Sequence, residues 1–336
     1  MDQLSIFLPL ASMAVTALFS LLVLGQWRER RRSFQLVWAC GLAFYSVGAG
    51  CEFAGALFGW NQVLYRAWYL GGAVLTAAFL GMGTVYLLRR SRFGYFAAFA
   101  IFLGGLLALA AGRSYPGSQA TAVAVFVVAT AGASAIVYTT ARHREISAHV
   151  TMALLLVASL AATVAVITAP VAVPGYVLNP ATHAPIGAGF PGYVRVLTPT
   201  FNVAGALCLV FGAIFSAYVY MPKRKLLRGR RLPPVLAQLY GATAVVINFF
   251  SSLPAASAAF ARGELNSRVP ATILIAAGGF VPSVTSGLNR FGITWAFFLG
   301  ELLGAVLIMA GFLVSEEVIA RVSPAGDSVL RGRAGT

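Results

Sequence analysis

Charge is scarce in this chain. Of its 336 residues, 10% are Asp, Glu, Lys or Arg and 59% are hydrophobic, where a soluble globular domain carries roughly 25% charge. That deficit excludes a water-soluble domain of ordinary type and points to an all-α polytopic membrane protein. Lysine is nearly absent: Lys223 and Lys225 are the only two, both in one polar connection, so no apolar run offers the amine that a retinal Schiff base needs. Cysteine is equally sparse. Cys40, Cys51 and Cys208 have neither metal-ligand spacing nor the pattern of a disulfide framework. His143, His149 and His183 fall on opposite sides of the apolar runs and form no cluster. Phosphate loops, H-E-x-x-H pairs and G-x-S-x-G elbows are missing, so the sequence nominates no catalytic residue, no metal site and no cofactor. The opening stretch does not read as a secretory signal, because Asp2 stands where a basic segment belongs.

What the chain does have is a series of long apolar runs separated by arginines. The first seven cover about 4–25, 34–60, 63–88, 93–112, 121–139, 149–169 and 199–221. Each is close to the ~20 residues that a bilayer crossing requires. Four connections, among them WRERRRS and PKRKLLRGRR, hold fifteen basic residues, whereas Arg66, Arg113 and Arg195 are alone on the other side. Basic residues in short loops mark the cytoplasmic side, which predicts an N-terminus outside. The net charge of +15 therefore reads as anchoring against membrane lipids and not as a nucleic-acid surface. Beyond Arg231 two indicators disagree. Hydropathy gives three more crossings and a total of ten; charge favours nine, with 235–260 lying in the interface or re-entering. Nine is preferred. The expected divisions are a seven-helix bundle over 1–231, a membrane segment over 232–314 with two or three crossings, and a short polar tail over 315–336.

Two carboxyl groups lie within apolar runs, and an unpaired carboxylate at such depth costs at least ~2.5 kcal/mol. Glu52 stands eight residues, roughly 12 Å, inside Trp60 along the second run. Arg66, at the start of the third, is its expected partner. Tyr45, on nearly the same helical face, joins Tyr65 and Tyr69, which bracket Arg66; these five residues form a candidate ligand-binding cluster on the outer side. Glu301 sits between Gly300 and Gly304 in the last run, where G-x-x-x-G spacing favours close helix contact. It is the candidate proton site. The one long external connection, 173–198, contains four prolines and four glycines, a composition suited to a cap or loop.

The stretch LVWACGLAFYSVGAGCEFAGALFGWNQVLYRAWYLGGAVLTAAFLGMGTVYLLRR resembles the seven-helix sensory membrane modules that precede bacterial histidine kinases, with their Trp- and Tyr-rich second and third helices joined by a short outer turn. The resemblance extends over 1–231. No kinase domain follows, so it implies a stand-alone sensor that signals through a separate protein. The resulting expectation is a multi-pass protein of the bacterial cytoplasmic membrane that senses or binds a small apolar or amphipathic ligand. A proton-coupled secondary transporter is the alternative, ahead of a lipid-modifying enzyme.

Overall fold

The computed structural model describes residues 3–180, 184–227, 234–290 and 295–314, without the side chains of 234–239, 242, 286–290 and 295. His183, Arg228, Arg230, Arg231 and the tail from 315 onward lie outside the described residues. Ten helices long and apolar enough to cross a membrane are present among them, and the protein is all-α with multi-pass membrane character. They are α1 (Leu4–Arg30), α2 (Ser33–Phe58), α3 (Gln62–Leu87), α4 (Phe93–Ala111), α5 (Gln119–Arg142), α6 (Arg144–Thr168), α7 (Thr198–Tyr220), α8 (Pro234–Ala261), α9 (Arg268–Arg290) and α10 (Trp295–Val314). The segment 235–260, expected to lie in the interface or re-enter, is thus part of one 28-residue helix.

Two compact units emerge. The first comprises Met1–Gly212 and Gly278–Val306; the second comprises Ala213–Ala277 with α10 from Leu307 onward. In the first unit, helices approach through small residues, as dispersion-driven packing in lipid requires. A Cβ on Gly81 of α3 would strike the backbone of Gly205 in α7, and one on Gly205 would strike the carbonyl of Ala77. Further along the same pair, Gly212 lies against Thr84, while Tyr69 hydrogen-bonds Thr198 at 2.7 Å. Residue numbers rise together in α3 and α7, so these helices run parallel. That parity fits three intervening crossings, α4 to α6.

Proline and glycine also set the contact between α9 and α10. Pro282 cannot donate to the carbonyl of Gly278 one turn earlier. That carbonyl faces Gly304, whose missing side chain makes room for both it and the Pro282 ring. Gly300 is similarly placed against Thr285. The G-x-x-x-G pair therefore does what its spacing suggested.

The outer connection is ordered into a cap. Phe190 stacks on Tyr65 at a centroid distance of 5.1 Å and leans on Tyr69 at 4.5 Å. The Tyr65 hydroxyl donates to the carbonyl of Ile186 and accepts from the Gly189 amide at 3.0 Å. These groups belong to the main buried cluster, which draws on α2, α3, α4, α6, the cap and α7.

Candidate functional site

Beneath the cap, the first unit gathers the two intramembrane carboxyl groups. Glu52, on α2, is 3% exposed; Glu301, on α10, is partly buried. The local sequence explains the position of Glu52. Gly41, Gly48 and Gly55 run along the buried face of α2 and admit Leu80, Gly72 and Trp60 of the α3 hairpin, which brings the Trp68 indole to the carboxyl. Its Nε1 donates to Glu52 Oε1 at 2.8 Å. Tyr45, two turns earlier on the same helix, donates its hydroxyl to the Glu301 backbone carbonyl at 2.7 Å. The two carboxyl groups are near neighbours, close enough to act on each other electrostatically.

That proximity has a chemical consequence. Ionised carboxylates only accept, so neither group can satisfy the other while both are charged. Glu52 Oε2 is buried and has no hydrogen-bond partner among the described residues. One oxygen anchored by Trp68 and one backbone oxygen held by Tyr45 fix the geometry from opposite ends.

Arg66 is elsewhere. Its guanidinium donates to the carbonyl of Val166 and, at 2.8 Å, to that of Ala169. These are carbonyls at the C-terminal end of α6, which have no helical donor of their own. The expected Glu52–Arg66 pair is accordingly replaced by two separate arrangements: a cation on helix-end carbonyls, favoured by the negative pole of the helix dipole, and a carboxyl held by the Trp68 indole. Of the five residues expected to form one ligand cluster, Tyr45 and Glu52 belong to the carboxyl site, Tyr65 and Tyr69 pack under the cap, and Arg66 clamps α6.

Trp68, the donor that holds Glu52, was not among the expected site residues, and Glu301 was expected as a site apart. The Tyr45–Glu301 contact spans 256 positions, a separation that no local spacing reveals. A π-helical segment, Tyr69–Leu75, follows Trp68 immediately. Such bulges recur at functional sites, and here Thr76 donates its hydroxyl to the Gly71 carbonyl at 2.8 Å within the distorted turn. Among the described residues no group of three or more His, Cys, Asp or Glu could hold a metal ion. Compared with known proteins, the chain matches no family model, no curated protein and no solved structure.

Proposed function

We propose that the protein is a membrane-embedded sensor or ligand-binding protein whose responsive element is the Glu52–Glu301 pair, with its N-terminus outside and its basic loops in the cytoplasm of a bacterial cell. The observation carrying this reading is the approach of two buried acids, Glu52 of α2 and Glu301 of α10, with Glu52 Oε2 lacking a hydrogen-bond partner among the described residues. A proton on either acid would let one carboxyl donate to the other and tie the two helices. When it leaves, two negative charges face each other in a site of low polarity, and repulsion separates the carboxyls or draws in a compensating ligand. A small apolar or amphipathic molecule that bears a donor or a positive group suits the latter role. The output then passes through a separate signalling protein, in keeping with the kinase-module resemblance.

Proton-coupled transport is the second reading. It is favoured by the same carboxyl pair together with two helix irregularities, the π segment of α3 and Pro282 in α9, since transporter sites combine intramembrane acids with interrupted helices.

Both readings are tested in reconstituted protein carrying spin labels at Val47 of α2 and Leu303 of α10, two exposed positions. The sensing model expects the label distance to change between about pH 5 and pH 9 and the change to disappear in Glu301→Gln, whose amide keeps the hydrogen bond but cannot release the proton. An unchanged distance in the parent protein removes the pair as the responsive element. Parallel measurement of pH-driven uptake decides between the readings: uptake lost selectively in Glu301→Gln assigns transport.

A further inference from the structure

Hydropathy marks α8 as a span. The contacts within the second unit say otherwise. Tyr220 is the last residue of α7 and Arg268 the first of α9, and the Arg268 guanidinium donates to the Tyr220 hydroxyl at 2.6 Å. A helix of 28 residues is about 42 Å long. If α8 crossed once, it would deliver the start of α9 to the face opposite the end of α7. Instead those two ends meet. Ala217 and Met221 from the end of α7, Phe249 and Ala256 from α8, and Val269 from α9 share one buried cluster. Gly311 of α10 faces the Ala271 carbonyl and Ile275, so the end of α10 returns to the same level.

The loop that follows α7 lies back along α8. The Arg224 amide donates to Ser252 Oγ at 2.8 Å, and Ser251 Oγ donates to the Arg224 carbonyl at 2.8 Å. The amides of Leu226 and Leu227 donate to Asn248 Oδ1 at 2.8 and 2.9 Å, while Asn248 Nδ2 returns a bond to the Leu227 carbonyl at 2.9 Å. The polar stripe of α8 is thereby turned inward and satisfied by loop backbone. Its outward side is apolar: Phe250 is 60% and Phe260 66% exposed, with Ile247 beside them. Lys223, Arg224 and Lys225 are exposed along the clasping loop.

An apolar helix face that does not cross, flanked by exposed cations, has the attributes of a helix lying in the membrane plane. We propose that α8 and the 222–227 loop form a docking surface for anionic phospholipid at the cytoplasmic interface, and that the chain crosses the bilayer nine times. The acyl boundary takes the Phe250 and Phe260 side, and the loop cations meet phosphate headgroups, each basic residue adding to the attraction for anionic lipid. This inference is independent of the carboxyl pair.

Depth measurements test it. In full-length protein with Cys40, Cys51 and Cys208 replaced by alanine, single cysteines at 247, 250 and 260 carry bimane in phosphatidylcholine vesicles with and without phosphatidylglycerol. Quenching by lipids brominated at defined acyl positions should place all three within about 5 Å, one helix radius. A spread of roughly 20 Å between 247 and 260, the rise over thirteen residues, overturns the in-plane assignment. Impermeant thiol reagents should also reach cysteines at 226 and 265 from one side; opposite sides overturn it equally. Brominated phosphatidylglycerol should quench the probe at 250 roughly twofold more than brominated phosphatidylcholine. The combined Lys223→Gln, Arg224→Gln, Lys225→Gln change should erase that preference without altering probe depth. Equal quenching by both lipids in the parent removes the anionic-lipid specificity.

Discussion

Two double-mutant cycles separate the acid–acid contact from the ion pair that sequence reasoning favours. Glu301→Leu removes the neighbouring acid that can supply a proton to Glu52, whose Oε1 is held by Trp68 Nε1 at 2.8 Å and whose Oε2 is buried without a partner among the described residues. Breaking a buried charged contact from one side costs about 3–5 kcal/mol. Glu52→Leu strands Glu301 and also orphans the Trp68 indole N–H, adding about 1–3 kcal/mol. Changing both eliminates the uncompensated acid, so the double variant should be about 1–3 kcal/mol more stable than additivity predicts. Glu301→Gln, whose amide can donate to Glu52, should lie within about 1.5 kcal/mol of the parent. In the second cycle, Arg66→Gln loses donors to the carbonyls of Val166 and Ala169, groups that Glu52 does not touch. Combined with Glu52→Leu it should be additive to about 0.5 kcal/mol. Steric-trap unfolding in bicelles yields both coupling energies. Additivity for Glu52 and Glu301, or coupling above about 1 kcal/mol for Glu52 and Arg66, would refute the assignment.

Three further substitutions probe the packing within the two units. Gly205→Val places a branched side chain against the Ala77 carbonyl of α3 and should destabilise by at least about 1–3 kcal/mol, because backbone cannot yield as a side chain can; a thiol-reactive thermal shift checks this, and an unchanged melting point contradicts the close approach of α3 and α7. Phe190→Ala removes the ring stacked on Tyr65 and Tyr69, at a cost of about 3–5 kcal/mol. Proteolysis of the 173–198 connection should accelerate, and equal cleavage rates would argue that the cap is not held by this ring. Asn248→Leu abolishes three hydrogen bonds to the 226–227 backbone and should cost about 1–3 kcal/mol for the amides left unpaired, with faster deuterium exchange at Leu226 and Leu227. Unaltered exchange would separate the loop from α8.

The helices were legible where two signals coincide. From α1 to α7, each apolar run is bounded at one end by a cluster of basic residues, and departures reflect interfacial turns that hydropathy does not count. Helix α1 continues through the arginines to Arg30, and α6 begins at Arg144, five residues before His149, because a helical backbone satisfies its own hydrogen bonds whether or not its side chains are apolar. At α8 the signals part. Hydropathy sums side chains without regard to where the chain leaves or returns. The parity of α7 and α9 depends on the Tyr220–Arg268 contact, which is tertiary. Asn248 is a polar residue inside an apolar run, and it binds a loop that lies 21 and 22 positions away.

The site was half legible for a related reason. Charge scarcity in the apolar runs made Glu52 and Glu301 conspicuous one at a time, and the cost of an isolated carboxyl in lipid obliges each to find a partner. Sequence proximity then suggested Arg66 for Glu52, since opposite charges a short turn apart are the simplest pairing. The helix register decides differently. Trp68 is two residues beyond Arg66, on the side of α3 that meets α2 through the glycine face of Gly48 and Gly72, whereas Arg66 points toward the end of α6. The indole holds one oxygen of Glu52, the other oxygen is buried without a partner among the described residues, and Glu301 of α10 stands nearby. A positive partner would have locked the site permanently charged. An acidic neighbour sets two carboxyl groups against each other, and a proton on either one relieves that repulsion.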